Sequence, residues 1–144
     1  MATGLVGSTN GVHTWRILDA RTTTNSAPSG SSAGVAIPKD NLGALPQKAV
    51  AAVYSTAGSA TMTATIKLWG YLIDAAQWFP LGIGADALKG VMNGGAAIGE
   101  TATDLLQHAE IVEGLFHFDR IYAEVVAIGG TSTAVTVDVR IGPA

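Results

Sequence analysis

The sequence predicts an all-β protein: an antiparallel β-sandwich or jelly roll of about eight strands with an extended N-terminal arm. Apolar and polar residues alternate with a period of two in several segments, which is the pattern of half-buried strands. Clusters of Gly, Ser, Thr, Asn and Pro separate these segments, and 18 of the 144 residues are glycine. No repeated helical pattern is present, so the chain is typical of sandwich and barrel folds.

The first eleven residues are rich in Gly, Ser, Thr and Asn. This composition predicts a flexible arm over 1–11 that becomes ordered on a neighbouring chain. Leu5 and Val6 are its large apolar residues, and Val12 and Trp15 follow in the first predicted strand. These four residues are our candidates for the contacts of the arm.

Residues 12–144 are predicted to form one β-sandwich domain. A long loop at 22–34 reads TTTNSAPSGSSAG, and it should be mobile or lie on a neighbour because it has little apolar area to bury. Thr101 and Asp104 have the spacing of a capping box, which leaves a short helix through His108 open. The predicted strands are 12–18, 35–37, 49–55, 61–72, 76–79, 109–112, 120–128 and 133–141.

The clearest alternation runs through residues 61–72. One face is predicted to belong to the core and carries Met62, Ala64, Ile66, Leu68 and Leu72. The other face carries Thr and Lys residues together with Trp69 and Tyr71. With Trp78 in the next strand, these aromatic residues are candidates for a subunit contact or a platform on which a ligand stacks. Packing beneath a covering loop is the alternative for all three.

Two segments rich in Val and Ile, 120–128 and 133–141, close the sequence and flank a Gly-Gly-Thr-Ser stretch. They are predicted to form an antiparallel hairpin. Their inward faces should carry Ile121, Ala123, Val125, Val135, Val137, Val139 and Ile141.

Charged residues make up 13% of the chain, against about 25% in typical soluble proteins. Because a surface with so few charged residues limits the solubility of a free monomer, we expect a homo-oligomer whose surface is partly covered. A net charge of −3 with scattered Lys and Arg argues against nucleic-acid binding. The uncharged stretch between Lys48 and Lys67 contains six Ser and Thr residues and is too polar for a membrane span.

The first residues lack a basic start and a continuous apolar core, so we expect no signal peptide and a protein that stays in the cytosol. The chain has no cysteine, which excludes disulfides, thiolate nucleophiles and Cys-based zinc sites. Gly82, Gly84 and Ala87 match the outline G-x-G-x-x-A, but no βαβ unit surrounds them, so we predict a glycine-rich turn and no dinucleotide cofactor.

No spacing of carboxylates marks a catalytic pair, so we do not expect an enzyme. His108 and Glu110 are two residues apart, as are His117 and Asp119. Each pair supplies only two ligands, which favours solvated or subunit-contact groups over a metal site.

The segments TATIKLWGYLIDAAQWFPLG and FDRIYAEVVAIGGTSTAVTVDVRIG, within a Cys-free chain rich in Gly, Ala and Thr, resemble small β-sandwich virion proteins of tailed bacteriophages. The resemblance covers about the last 85 residues. It implies a head decoration or cement protein that forms a trimer or hexamer, binds the major capsid protein or another virion protein, and assembles in the host cytoplasm. The alternative is a tail or baseplate protein with a carbohydrate- or receptor-binding face around Trp69, Tyr71 and Trp78.

Overall fold

The computed structural model describes residues 3–38, 47–55, 61–82, 89–99, 105–112, 114–130 and 134–143. Within these ranges the chain forms ten strands and no α-helix. The strands are β1 (Gly4–Thr9), β2 (Val12–Arg21), β3 (Val35–Ala36), β4 (Gln47–Tyr54), β5 (Thr63–Leu72), β6 (Gln77–Pro80), β7 (Ile98–Gly99), β8 (Gln107–Ile111), β9 (Arg120–Gly129) and β10 (Val135–Pro143).

The strands form two antiparallel sheets, so the predicted all-β sandwich is confirmed. The first sheet has the order β1-β2-β10-β4-β8, and the second has the order β3-β9-β5-β6 with β7 also paired to β5. All eight predicted strands are present, within a few residues of their predicted bounds. The sequence missed β1 and the two-residue β7.

Residues 4–9, which composition predicted to lie in a flexible arm, form β1 and pair with β2. The turn between the two strands is Asn10-Gly11, and both residues have positive φ, 54° and 79°. Asn-Gly is the preferred dipeptide for a tight hairpin turn of this hand. The turn chemistry, rather than any apolar alternation, therefore determines this hairpin.

The predicted hairpin between 120–128 and 133–141 is wrong. β9 lies in the second sheet between β3 and β5, whereas β10 lies in the first sheet between β2 and β4. The inward faces were predicted correctly, since all seven residues named for them are buried. Alternation identifies the face of a strand that enters the core, but it does not say which of two facing sheets the strand joins.

The core lies between the sheets. Its largest fully buried side chains include Trp15, Met62, Ile66, Leu68, Leu106, Leu115, Ile121 and Ile141. Gly70 is buried on the inner side of β5, where an added Cβ would overlap the ring of Phe118. Leu72, predicted to be in the core, is half-buried.

The short helix through His108 does not form at its predicted end, because β8 begins at Gln107. Thr101 and Asp104 lie outside the described residues.

Candidate interaction surfaces

The outer face of the second sheet, directed away from the core, is aromatic. The register places Tyr71 directly opposite Trp78, and Trp69 opposite Tyr122. The Trp78 ring centroid lies 5.1 Å from that of Tyr71 and 6.0 Å from that of Tyr122. Tyr71 is only 6% exposed although it does not face the core. Trp69, Tyr71 and Trp78 thus share one face, but they do not form an open platform.

The loop at 22–34 lies over part of this aromatic face. Trp78 Nε1 donates a hydrogen bond to the carbonyl oxygen of Gly30 at 2.8 Å. The hydroxyl of Tyr122 donates to the carbonyl oxygen of Ser26, also at 2.8 Å. Burial raises the pKa of Tyr122. The loop that composition predicted to be mobile or to lie on a neighbour is therefore bonded to its own sheet.

Two further side chains hold the loop to β9. The guanidinium of Arg120 donates to the carbonyl oxygens of Ser32, Ala33 and Gly34, at 3.1, 2.7 and 3.1 Å. Asn25 accepts a hydrogen bond from the amide of Val125 at 2.6 Å through Oδ1 and donates through Nδ2 to the carbonyl oxygen of Ala123 at 3.3 Å.

The backbone amide of Asn25 also donates to the carbonyl oxygen of Val125, at 3.3 Å. Asn25 therefore extends the edge of the sheet by one residue. Sequence reasoning missed both Asn25 and Arg120, because their partners lie about 90 to 100 residues away.

Trp69 is half-buried. Its Nε1 donates to Glu124 Oε1 at 2.9 Å. The ammonium of Lys67 lies 4.4 Å from the ring centroid, a cation–π distance. One face of the indole and its polar edge are thus already engaged by neighbours from β5 and β9.

The outer face of the first sheet carries a buried ionic cluster instead. Arg16 donates to both carboxylate oxygens of Asp138, at 2.9 and 3.2 Å, and also to the hydroxyl of Tyr54 at 2.9 Å. The Tyr54 hydroxyl in turn donates to Asp138 at 2.7 Å. The side chains of Arg16 and Asp138 are only 8% and 13% exposed. Every member therefore has a charged or polar partner, as a buried ion pair requires.

These contacts shift two pKa values in the same direction. The hydrogen bonds from Arg16 to Asp138 raise the pKa of Arg16, and they outweigh the opposite effect of its burial. Burial, and then the hydrogen bond to Asp138, raise the pKa of Tyr54 above its usual value near 10. Both groups keep their protons at neutral pH, so neither acts as a general base.

The four residues predicted as arm contacts are divided between the surface and the core. Leu5 and Val6 are exposed on β1, at 51% and 43%. Val12 is half-buried at the start of β2, and Trp15 is 2% exposed within the core. Only the first two are therefore accessible to a partner.

The opposite edge of the first sheet, β8, presents polar groups to the space between the sheets. His108 and Glu110 lie opposite the fully buried Val53 and Ala51, so their side chains point to the inner side. His108 Nε2 and Glu110 Oε1 are 2.7 Å apart. Glu110 also accepts a hydrogen bond from the amide of Asn93 at 2.7 Å.

Beside β8 a cavity of about 670 Å³ opens between the sheets. Leu68, Leu81, Met92 and Val112 line it, and Glu110 is the one titratable side chain among its described lining residues. The carboxylate of Glu110 is already paired with His108 and with the amide of Asn93.

His117 and Asp119 have separate surroundings. Asp119 Oδ2 accepts a hydrogen bond from the amide of Ile73 at 2.9 Å. Among the described residues no three His, Cys, Asp or Glu side chains come together as metal ligands. No helix in the described part of the chain is long and apolar enough to cross a membrane.

No protein-family model matches the chain, and comparisons with curated proteins and with solved structures found no match. The fold and these surfaces are therefore the basis for assigning a function.

Proposed function

We propose that this protein is a structural component of a tailed-bacteriophage virion, a head decoration or cement protein that assembles as a homo-oligomer. Its partners are further copies of itself and the major capsid protein or another virion protein, and it is assembled in the host cytoplasm. The observation that carries the proposal is β1, an uncharged and exposed edge strand in a chain with about half the usual charge.

The chemistry of the described surfaces supports binding rather than catalysis. The buried polar groups outside the core, in the Arg16 cluster and beneath the 22–34 loop, form hydrogen bonds within the chain. Such bonded networks stabilise one conformation. We expect the protein to function without a cofactor.

The test of this function is binding to heads of the phage that encodes the chain. We expect purified protein to co-sediment with heads in a saturable manner, at a stoichiometry that matches the capsid lattice, and to raise the temperature at which heads rupture. Light scattering on the free protein should give a trimer or hexamer, because closed symmetric oligomers match the symmetry axes of a capsid. Protein that sediments with tails, or with neither part of the virion, contradicts the assignment.

Trp69 favours one alternative, a tail or baseplate protein that binds a carbohydrate or receptor. Its half-buried indole beside Glu124 combines an apolar surface with a polar acceptor, as sugar-binding faces do. Binding on a glycan array that Trp69→Ala abolishes supports this alternative. Ile73→Ala, an exposed residue of the turn after β5, is the matched control and should bind as the unmodified protein does.

A further inference from the structure

We infer that β1 pairs edge to edge with β1 of a second copy of this chain, antiparallel and across a two-fold axis. This contact joins two first sheets into one continuous sheet of ten strands. Of the two expected oligomers it fits the hexamer, because a closed trimer has no two-fold axis. The inference rests on the proposed assembly function and names the surface through which two copies meet.

β1 offers a free edge. In the described structure it pairs with β2 on one side, and five of its six residues are exposed. Alternate residues of such a strand direct their N–H and C=O groups away from the sheet, where they can pair with another strand. Leu5 and Val6 add exposed apolar side chains at the same place.

β1 lacks most of the features that keep edges from associating. Monomeric sheet proteins protect their edges with charged side chains, proline, bulges, short strands, inward-pointing charged groups or a covering segment. The β1 sequence GLVGST contains no charge and no proline. A bulge between Leu5 and Gly7 is the one protective feature that the described structure shows on β1.

The other edges are protected. β8 directs His108 and Glu110 to its inner side. In the second sheet, β6 is four residues long and ends at Pro80. The outer edge of β9 is covered by β3 and by Asn25. Among these described edges β1 thus has the least protection, a single bulge.

Gly7 lies at the bulge of β1, and an added Cβ there would meet no described atom within 4 Å. Glycine within a strand occurs at bulges and where another backbone approaches closely, so Gly7 leaves room for a close partner. A two-fold axis near Val6 would place Leu5 of one copy beside Gly7 of the other.

The absence of charge favours a second copy as the occupant. Two-fold pairing sets the same strand against itself, so any charge on β1 would face an identical charge. The alternative contact between copies, β1 against β8, is less favourable. In this antiparallel sheet β1 and β8 run in the same direction, so a ring that joins them pairs them in parallel, the weaker arrangement.

Cysteine cross-linking tests the contact directly, because the chain has no cysteine of its own. Near a two-fold axis the Cα atoms of paired strands lie within the separation that a disulfide spans. We expect Val6→Cys, or its neighbours Leu5→Cys and Gly7→Cys, to form a covalent dimer under mild oxidation. Ile73→Cys, at a 64% exposed position of a turn, is the control and should stay uncross-linked. No cross-link at any of the three β1 positions overturns the inference.

A second experiment measures assembly. In the double variant Leu5→Lys with Val6→Lys, four ammonium groups would crowd the axis, and we expect the mass from light scattering to fall at least twofold. Ile73→Lys should leave the mass unchanged. If the double variant does not fold, as judged by circular dichroism, the cysteine result decides.

The outcomes separate this inference from the proposed function. Double-variant protein that assembles normally, in heads or in solution, overturns the β1 contact and leaves the virion proposal in place. A β1 cysteine variant that cross-links to a second copy, together with wild-type protein that does not bind heads, overturns the virion proposal alone. Cross-linking of the β1 cysteine only to a capsid subunit assigns the edge to an extended capsid segment and overturns pairing between copies.

Discussion

The outer faces of the two sheets bury polar groups by different means. On the first sheet three side chains, from β2, β4 and β10, form hydrogen bonds with one another. On the second sheet Trp78 and Tyr122 donate to carbonyl groups of the 22–34 loop. The burial of polar groups on the first sheet therefore depends on a few charged atoms. On the second sheet it depends on the docking of a whole segment.

Among single substitutions, we expect the largest loss of stability on the outer face of the first sheet. Asp138→Ala leaves the buried Arg16 guanidinium without its counter-charge, and we expect the free energy of unfolding to fall by about 3 kcal/mol. Urea denaturation measures it. Asp74→Ala, at an exposed turn position, is the control and should change little.

Replacing Arg16 and Asp138 together tests whether the unpaired buried charge causes this loss of stability. In the double variant Arg16→Met with Asp138→Leu no charge is left buried, so most of the stability should return. If Asp138→Ala alone proved harmless, the ionic cluster would not hold the first sheet in the way described.

On the outer face of the second sheet, we expect stability to be most sensitive to substitution where the 22–34 loop rejoins the sheet. Gly34 has φ of +67°, and an added Cβ would collide with the backbone carbonyl of Ile121. We expect Gly34→Ala to lower the free energy of unfolding by about 2 kcal/mol, from backbone strain and the displaced strand together.

The matched control is Gly30→Ala, with φ of +80° and open space around the added Cβ. Gly30→Ala keeps the backbone carbonyl that accepts the hydrogen bond from Trp78. It should therefore lower the free energy of unfolding only by the cost of the left-handed conformation, about 1 kcal/mol. If the two variants lost the same free energy of unfolding, the close approach of residue 34 to Ile121 would contribute nothing to the effect of Gly34→Ala.

A weaker, more local effect is expected at Asn25. Asn25→Ala removes two side-chain hydrogen bonds to β9, which should reduce stability by about 1 kcal/mol. It should also speed hydrogen exchange at the amide of Val125, the donor that loses its partner. Thr24→Ala is the control, since the Thr24 contact to Arg21 uses the backbone carbonyl. Unchanged exchange at Val125 would show that the loop is held without Asn25.

The smallest effect concerns pH. Because burial raises the pKa of Tyr54, the folded state holds this proton more tightly than the unfolded chain, whose tyrosines titrate near pH 10. The resulting stability is fully present below about pH 10 and is lost as the pH rises through the folded-state pKa.

We therefore expect stability to fall less steeply above about pH 10 in Tyr54→Phe than in the unmodified protein. Urea midpoints measured on both sides of that pH give the two slopes. Identical slopes would mean that Tyr54 titrates alike in the folded and unfolded chains.

The strand pattern was readable locally because alternation is a property of neighbouring residues. β5 shows this well, since Ala64, Ile66 and Leu68 are all buried as predicted. Tyr71 was predicted on the opposite, half-exposed face, and its burial comes from Trp78 and the chain around it. A period of two reports the direction of a side chain and contains no information on what later covers that side.

The surfaces were less predictable than the core. Bulges in β2 let Trp15, Ile17 and Leu18 all point inward while Arg16 turns outward, which strict alternation cannot anticipate. The arm prediction likewise missed β1, because a sequence of small residues and a single Asn-Gly turn resembles a loop in composition.

The sequence by itself determined an all-β chain, the positions of eight strands and the residues that face the core, because hydrophobic alternation and turn residues act over a few neighbours. The tertiary structure decided which sheet each strand joins, why β9 and β10 do not pair, and which edge stays open. It also decided which polar groups meet, such as Arg16 and Asp138, 122 residues apart. These contacts depend on packing between distant segments, which no local pattern encodes.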